Sequence, residues 1–476
     1  MELKKKIIRG LKWSGISQVG KQVSQFIVTV VLARLLSPGD FGLVAVAMVF
    51  INFALIFGEL GLSSALVQKQ NTFDTHFSSA FWLNIICSIV LTLVFIGLAP
   101  LIAAFYHNSA LKPVLMVMSL NFVLVSFTAI QQTILQKEMD FKALAIRDIV
   151  AVIVSGVVGI VLAYRGYGVW SLVYQLLMFT FVDGILLWFF SKWRPKFIFS
   201  IEAIKDIFHF SANVTGFNII NYFARNVAQL LIGKFLGFNA LGYYALAYKI
   251  VLYPLQNISG VINKVMFPVF SRIQNDLKEV RNAYLKMVKA ISLVAFPLMV
   301  SLFVFAPEFV HVFIGKKWEM IVFLIRIFCV CGIVQAVSIT VGNIRLSQGQ
   351  SRMQFKIGSI HFICMIIAIW IGLFWGIYGV AFSYTIFYLF WFFYTIGNIL
   401  FLIKLKASIF YGNLTVPAIL NSIFLMVLTI LKYLLIDMAD ISRLCLLCGL
   451  GMLCYFIFLW GARIISVKDR KIIFSL

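Results

Sequence analysis

The sequence predicts an all-α polytopic membrane protein of fourteen transmembrane helices. They form two parallel six-helix repeats, V-shaped lobes around a central cavity, with two further helices at the C-terminal end. Three observations predict this. Hydrophobic residues make up 62% of the 476 and charged residues only 12%, where a soluble domain carries about 25% charged residues. Apolar runs of about 20 residues, long enough to cross a bilayer, recur from end to end. Short matching peptides recur in the same order in the two halves. The alternating segments of about ten residues that mark a membrane β-barrel are not visible.

The apolar runs centre near residues 25, 53, 90, 123, 155, 179, 222, 253, 295, 331, 365, 390, 425 and 453, which defines spans 1 to 14. The basic opening "MELKKKIIRGLKW" resembles the start of a signal sequence. However, "QFIVTVVLARLLSPGDFG" follows without a small-residue cleavage site, so span 1 reads as an uncleaved helix. Spans 1–6 make an N-lobe over residues 1–191 and spans 7–12 a C-lobe over 207–406. The loop "SKWRPKFIFSIEAIKD" carries the cytoplasmic linker, 192–206, and residues 407–476 hold spans 13 and 14 and a cytoplasmic tail.

Charge placement orients the spans. With both termini in the cytoplasm, the Lys and Arg of the outer segments are Lys112, Arg165, Lys316, Lys317, Lys432 and Arg443. Seven more fall within spans, and the rest of the 40 are cytoplasmic, as the positive-inside rule requires. The net charge of +23 therefore reads as membrane topology. Nucleic-acid binding is not expected, because no basic cluster occupies a domain-sized soluble segment.

The repeat is carried by four peptides. "LARLLSPGDFGLVAVA" and "IGKFLGFNALGYYALA" align at an offset of 200, with Leu36/Leu236, Gly42/Gly242, Ala45/Ala245 and Ala47/Ala247 identical. "LAPLIAAFY" returns as "FAPEFVHVF", "QKEMDFK" as "QSRMQFK", and "YGV" at Tyr167 as "YGV" at Tyr378. Six helices separate equivalents, so the halves point the same way. Two parallel bundles around a cavity that opens alternately to each side imply a transporter.

Polar residues then point to that cavity. On span 7, Asn218, Asn221, Arg225 and Gln229 share one helical face. The equivalent face of span 1 reads Gln18, Lys21, Gln25 and Thr29, and span 8 adds Lys249, Tyr253, Gln256, Asn257, Gly260, Asn263 and Lys264. A charge at the bilayer centre costs about 2.5–3.5 kcal/mol on insertion scales, so such residues face a wet cavity or a partner. The intramembrane cations Lys21, Arg34, Arg225, Lys234, Lys249, Lys264 and Arg326 outnumber the acids Glu59 and Asp183. Arg225, Lys249 and Lys21 are the candidates to attract an anion, with Asn221, Asn218, Gln25, Tyr253 and Asn257 beside them. Arg34, Lys234 and Lys264 sit near helix ends, where snorkelling explains them. Arg326 serves the cavity or helix packing equally well. Glu59, inside "GELG", and Asp183 are coupling-ion candidates, or partners of a neighbouring cation.

Other chemistry is sparse. The spacing of Cys445 and Cys448 suits a metal, but neither a second pair nor a histidine lies nearby. His76, His107, His209, His311 and His361 are scattered, so no metal site and no cofactor are expected. Pro100, Pro254, Pro297, Pro307, Gly168 and Gly379 allow bends, and Pro254 beside Lys249 reads as a static kink or a hinge. Outer loops are too short for a membrane glycosyltransferase or polymerase, and no phosphate-binding P-loop is visible. The chain reads as a transporter and not an enzyme.

The stretch "VLARLLSPGDFGLVAVAMVFINFALIFGELGLSSALVQ" resembles the polysaccharide transporter branch of the multidrug/oligosaccharidyl-lipid/polysaccharide exporter superfamily. It is most similar there to the O-antigen, colanic acid and teichuronic acid exporters. The resemblance implies a flippase of the bacterial cytoplasmic (inner) membrane that moves undecaprenyl-diphosphate-linked oligosaccharide to the outer face through a cationic cavity. It also implies partners among the polysaccharide polymerase and chain-length machinery. Tyr222, Tyr243, Tyr244 and Tyr253 become candidates to stack on sugar rings or to line helix interfaces. A lipid II flippase is close to this reading. A multidrug antiporter favours acids in its cavity. A twelve-helix facilitator carries a Gly- and Arg-rich loop where this chain has "QKQNTFDTH".

Overall fold

The computed structural model describes residues 2–59, 66, 73–138, 140–202, 204, 222–223 and 226–461. Every regular element among them is helical. The chain divides into two compact units, Met1–Gly242 and Tyr243–Leu476.

The first unit holds α1 (Glu2–Leu35), α2 (Pro38–Glu59), α3 (Asp74–Phe105), α4 (Leu111–Lys137), α5 (Phe141–Tyr164) and α6 (Val169–Phe190). A helical segment, α7, covers 226–235, and α8 (Gly237–Arg272) begins in this unit. Local chemistry sets the helix starts. In "SPGD", the Asp40 carboxylate accepts from the Ser37 amide at 2.9 Å and the Ser37 hydroxyl accepts from the Asp40 amide at 3.2 Å. This reciprocal cap precedes a proline at the first helical position, where its missing N–H costs nothing. Asp140 caps α5 by accepting from the Ala143 amide at 3.1 Å. Gly168, at φ +54°, lets the chain turn from α5 into α6.

Within this unit α5 packs on both α1 and α6, and α4 on both α3 and α6. The approach of α1 to α5 is close because Gly156 faces Val28, where a Cβ on Gly156 would stand 2.3 Å from a Val28 methyl. An aromatic cluster of Phe81, Trp82, Trp188 and Trp193 packs around Ile85, Ile130 and Ile134.

The second unit continues α8 and adds α9 (Leu277–Phe309), α10 (Ile321–Ser338), α11 (Ser351–Leu373), α12 (Gly376–Leu402), α13 (Ala407–Leu434) and α14 (Asp440–Gly461). A π-helical turn, Val310–Ile314, extends α9, and a short helix, Val341–Ser347, follows α10. The Asp276 side chain caps α9 by accepting from the Lys278 and Glu279 amides. α9 packs against α10, α13 and α14, and α12 packs against α10 and α11. The turn between α11 and α12 is tight: a Cβ on Gly379 would lie 2.4 Å from the Gly372 carbonyl oxygen.

Among the described residues, 11 helices are long and apolar enough to cross a membrane, namely α2 to α6 and α9 to α14. The chain is therefore an all-α, multi-pass membrane protein. α1 and α8 have 34 and 36 residues. They are long enough to span but are not among the eleven, and they carry the polar stripes singled out in the sequence.

Candidate functional site

In the first unit the helix-spaced polar face of α1 meets charges from two other helices. The Lys21 ammonium lies 3.6 Å from the Asp148 carboxylate and sits 5.6 Å over the Phe179 ring. Ser17, one turn earlier, donates to the other oxygen of Asp148 at 3.3 Å. Arg147 donates to Asp148 at 2.8 Å and to Gln132 at 3.2 Å. Arg147 also reaches Asp183 on α6, with Nε 3.0 Å from Oδ1, in an ion pair whose N–H is not aligned as a hydrogen bond. Two cations and two carboxylates thus form one chain, Lys21–Asp148–Arg147–Asp183, linking α1, α5 and α6. Its formal charges cancel. Pairing offsets the penalty for holding each ion away from water, which is several kcal/mol per unpaired ion.

Asp183 is therefore found beside a cation, and Lys21 beside an acid. Arg147 and Asp148, counted from the sequence with the segment between spans 4 and 5, both belong to the helix α5. The "QKEMDFK" loop ends only a few residues earlier, and apolarity alone sets the helix start too late. Gln25 continues the α1 stripe and is half-buried. Asn218, Asn221 and Arg225 lie outside the described residues, as do the side chains of Glu59, Tyr253 and Asn257.

In the second unit Lys249 stands on α8, accessible at its surface yet surrounded by protein atoms. Its neighbour Tyr248 enters an aromatic group that runs through Tyr244, Phe328 and Tyr384. Tyr244 is fully buried against Phe328, Tyr243 packs edge-on against Trp318, and Tyr222 donates to the Val49 carbonyl at 2.6 Å. These three tyrosines are thereby engaged in packing. Arg326 donates to the Phe303 carbonyl at 3.4 Å and lies over the Phe303 ring, a contact between α10 and α9. Lys234 donates to the Phe105 carbonyl at the end of α3 and lies 4.4 Å over the Phe105 ring.

A second ionic cluster was not visible in the sequence. Glu308, 2% exposed at the end of α9, accepts from Lys432 at 2.9 Å and Arg443 at 3.3 Å. Asp440 joins through Arg443 at 3.7 Å and His311 at 3.4 Å. This cluster ties α13 and α14 to α9. Among the described residues, no group of three or more His, Cys, Asp and Glu is placed to hold a metal ion.

A family model described as "Polysaccharide biosynthesis protein" matches residues 31–323. This chain belongs to that family. Among curated relatives, the lipopolysaccharide biosynthesis protein WzxC of Escherichia coli K12 is 28% identical over 374 residues, covering 78% of this chain and 76% of that one. The teichuronic acid biosynthesis protein TuaB of Bacillus subtilis 168 is 27% identical, covering 74% and 73%. Among solved structures, the lipid II flippase MurJ in an inward closed conformation superposes with a TM-score of 0.75 at 17% identity, over 98% of this chain and all of that one. An inward-facing multidrug transporter of the MATE family gives 0.63 at 16% identity, over 84% of this chain. The fold and the family together make the chain a member of the multidrug/oligosaccharidyl-lipid/polysaccharide exporter superfamily.

Proposed function

We propose that this chain is a flippase-exporter that carries lipid-linked glycan across the cytoplasmic membrane, its substrate an undecaprenyl-diphosphate-linked oligosaccharide. It is a membrane transporter and not an enzyme. The relatives that bear on this are named for lipopolysaccharide, teichuronic acid and succinoglycan biosynthesis, the last as a transport protein. The single observation that carries the reading is the charge on the two long helices outside the apolar set. α1 holds Lys21 and α8 holds an accessible Lys249 well inside their lengths.

A diphosphate cannot cross hydrocarbon unaided. Lysine and arginine replace its lost hydration with charge-assisted hydrogen bonds. In this reading Lys249, Arg225 and Lys21, with Asn218, Asn221, Gln25, Tyr253 and Asn257, hold the head group while the lipid tail stays in the bilayer. Lys21 then exchanges Asp148 for a phosphate oxygen as substrate arrives. Fourteen spans in two parallel six-helix repeats plus two, divided at the 192–206 linker, with both termini cytoplasmic, supply the alternating access. Glu59 and Asp183 are the candidates for a coupled ion, and the polymerase and chain-length machinery for partners.

The test is a lipid extraction from cells lacking the protein. Undecaprenyl-diphosphate oligosaccharide should accumulate, surface polysaccharide should fall, and the intact chain should reverse both. Unchanged lipid-linked sugars with altered resistance to cationic drugs would replace this reading with a multidrug antiporter.

A further inference from the structure

The second unit holds a cluster that the ionic chemistry above leaves unused. His361 on α11 meets three rings of α12: Phe387 at 5.2 Å, Tyr388 at 5.5 Å and Trp391 at 5.0 Å between centroids, each edge-on. Phe387 and Trp391, one turn apart, stack at 5.6 Å with planes only 22° apart, so they form one continuous wall.

These rings lie off the most exposed face of α12. The outward stripe of α12 is Phe382, Ile386, Phe390 and Phe393, all exposed. Tyr388 and Trp391 lie on the other side of the helix, on the face that also carries Tyr384 and Thr395, each 6% exposed. His361 likewise shares the inward stripe of α11 with Ile357, 4% exposed, and Met365, 1% exposed, a turn to either side. Yet His361, Phe387, Tyr388 and Trp391 are only half-buried. Two neighbouring helices thus lose their burial at the same level, on their inward faces. These side chains therefore keep part of their surface accessible between more deeply buried neighbours.

The repeat strengthens the contrast. "QKEMDFK" and "QSRMQFK" pair Lys142 with Lys356, and the same offset of 214 pairs Arg147 with His361. The first half fills this position with an arginine locked between Asp148 and Asp183. The second half fills it with an imidazole among aromatic rings.

We propose that His361, Tyr388 and Trp391, backed by Phe387, form the subsite that receives a sugar ring of the transported glycan. The proposal rests on the lipid-linked glycan reading above. An aromatic face is electron-rich, and one side of a pyranose presents weakly positive C–H groups that lie flat on it. The Trp391 N–H and the two nitrogens of His361 offer donors and acceptors to the ring hydroxyls. The wall is connected to the cationic helix through Tyr388 to Tyr384 at 4.8 Å and Tyr384 to Tyr248 at 6.3 Å, the residue before Lys249. A histidine within an apolar membrane helix is itself a candidate functional position.

The experiment compares two lipids on the full chain in nanodiscs: undecaprenyl diphosphate, and the sugar-bearing form isolated from cells lacking the protein. Trp391→Ala with Tyr388→Ala is expected to weaken the sugar-bearing lipid about tenfold, the scale of losing a stacked ring. Binding of the sugar-free lipid should stay within about twofold. Trp391→Phe should recover most of the affinity. If the double variant does not insert, His361→Leu, which is close in volume, and Tyr388→Leu, which removes less volume than Ala, carry the same comparison. Equal loss for both lipids, or no loss for either, overturns the sugar subsite while leaving the transport reading standing. Failure of the unaltered chain to bind either lipid overturns both.

Discussion

Gly42 at the start of α2 and Gly242 at the start of α8 meet backbone to backbone, reciprocally. A Cβ on Gly42 would stand 1.8 Å from the Phe238 carbonyl oxygen, and one on Gly242 would stand 1.8 Å from that of Pro38. The partners differ by the same offset of 200 that aligns the two peptides in the sequence. The repeated glycine therefore has a physical cause: each copy makes room for the backbone of the other.

Gly42→Val and Gly242→Val should each separate the two helix starts. Neither obstacle is a flexible side chain that can swing aside. Overpacking of this kind costs about 1–3 kcal/mol or more. Thermal unfolding in detergent should fall for both variants to a similar extent, and glycan export should fall with it. A Val variant as stable and active as the original chain would show that the contact is dispensable.

Arg147→Met should destabilise the first unit by about 3–5 kcal/mol, because Asp183 and Asp148 are left without their shared cation. Adding Asp183→Leu should recover part of that loss, since it removes one stranded charge. The double-mutant cycle, read by denaturation midpoint, gives the coupling directly.

Glu308→Leu should loosen α13 and α14, because Lys432 and Arg443 lose their common carboxylate. About 3 kcal/mol is expected, with earlier proteolysis near 432–443. Glu308→Asp should fall between the two. Identical melting curves for the Leu variant and the parent would rule the latch out.

Lys249→Gln removes the charge while keeping a long polar side chain, so it should leave the fold intact. Export should fall about tenfold, matching the loss of one charge-assisted hydrogen bond of about 1.5–3 kcal/mol. Lys249→Arg should keep most activity. Normal export by the Gln variant would remove Lys249 from the site.

Much of this organisation can be read without coordinates. Hydropathy marks α2 to α6 and α9 to α14, because each must satisfy its backbone internally while showing lipid an apolar surface. Among the described residues, α1 and α8 fall short of that apolarity because of the polar stripes they carry. The stripe of Gln18, Lys21 and Gln25 follows from helical periodicity alone. The Gly42 and Gly242 peptides also announce themselves as copies.

Packing decided the rest. Periodicity tells which face of α1 is polar but is silent on what that face meets. Asp148, 127 residues beyond Lys21 in sequence, comes to it only when α5 lies on α1, so a cation expected to attract an anionic ligand has an acid beside it. His361 shows the converse. Its sequence neighbourhood is plain apolar helix, and its setting appears only when α12 brings Phe387, Tyr388 and Trp391 to it. The membrane class, the positions of most spans and their polar exceptions follow from composition and period, which are properties of short stretches. Which charges cancel, which rings pack and which remain open to a ligand depend on side chains from distant helices, and those meet only in the folded chain.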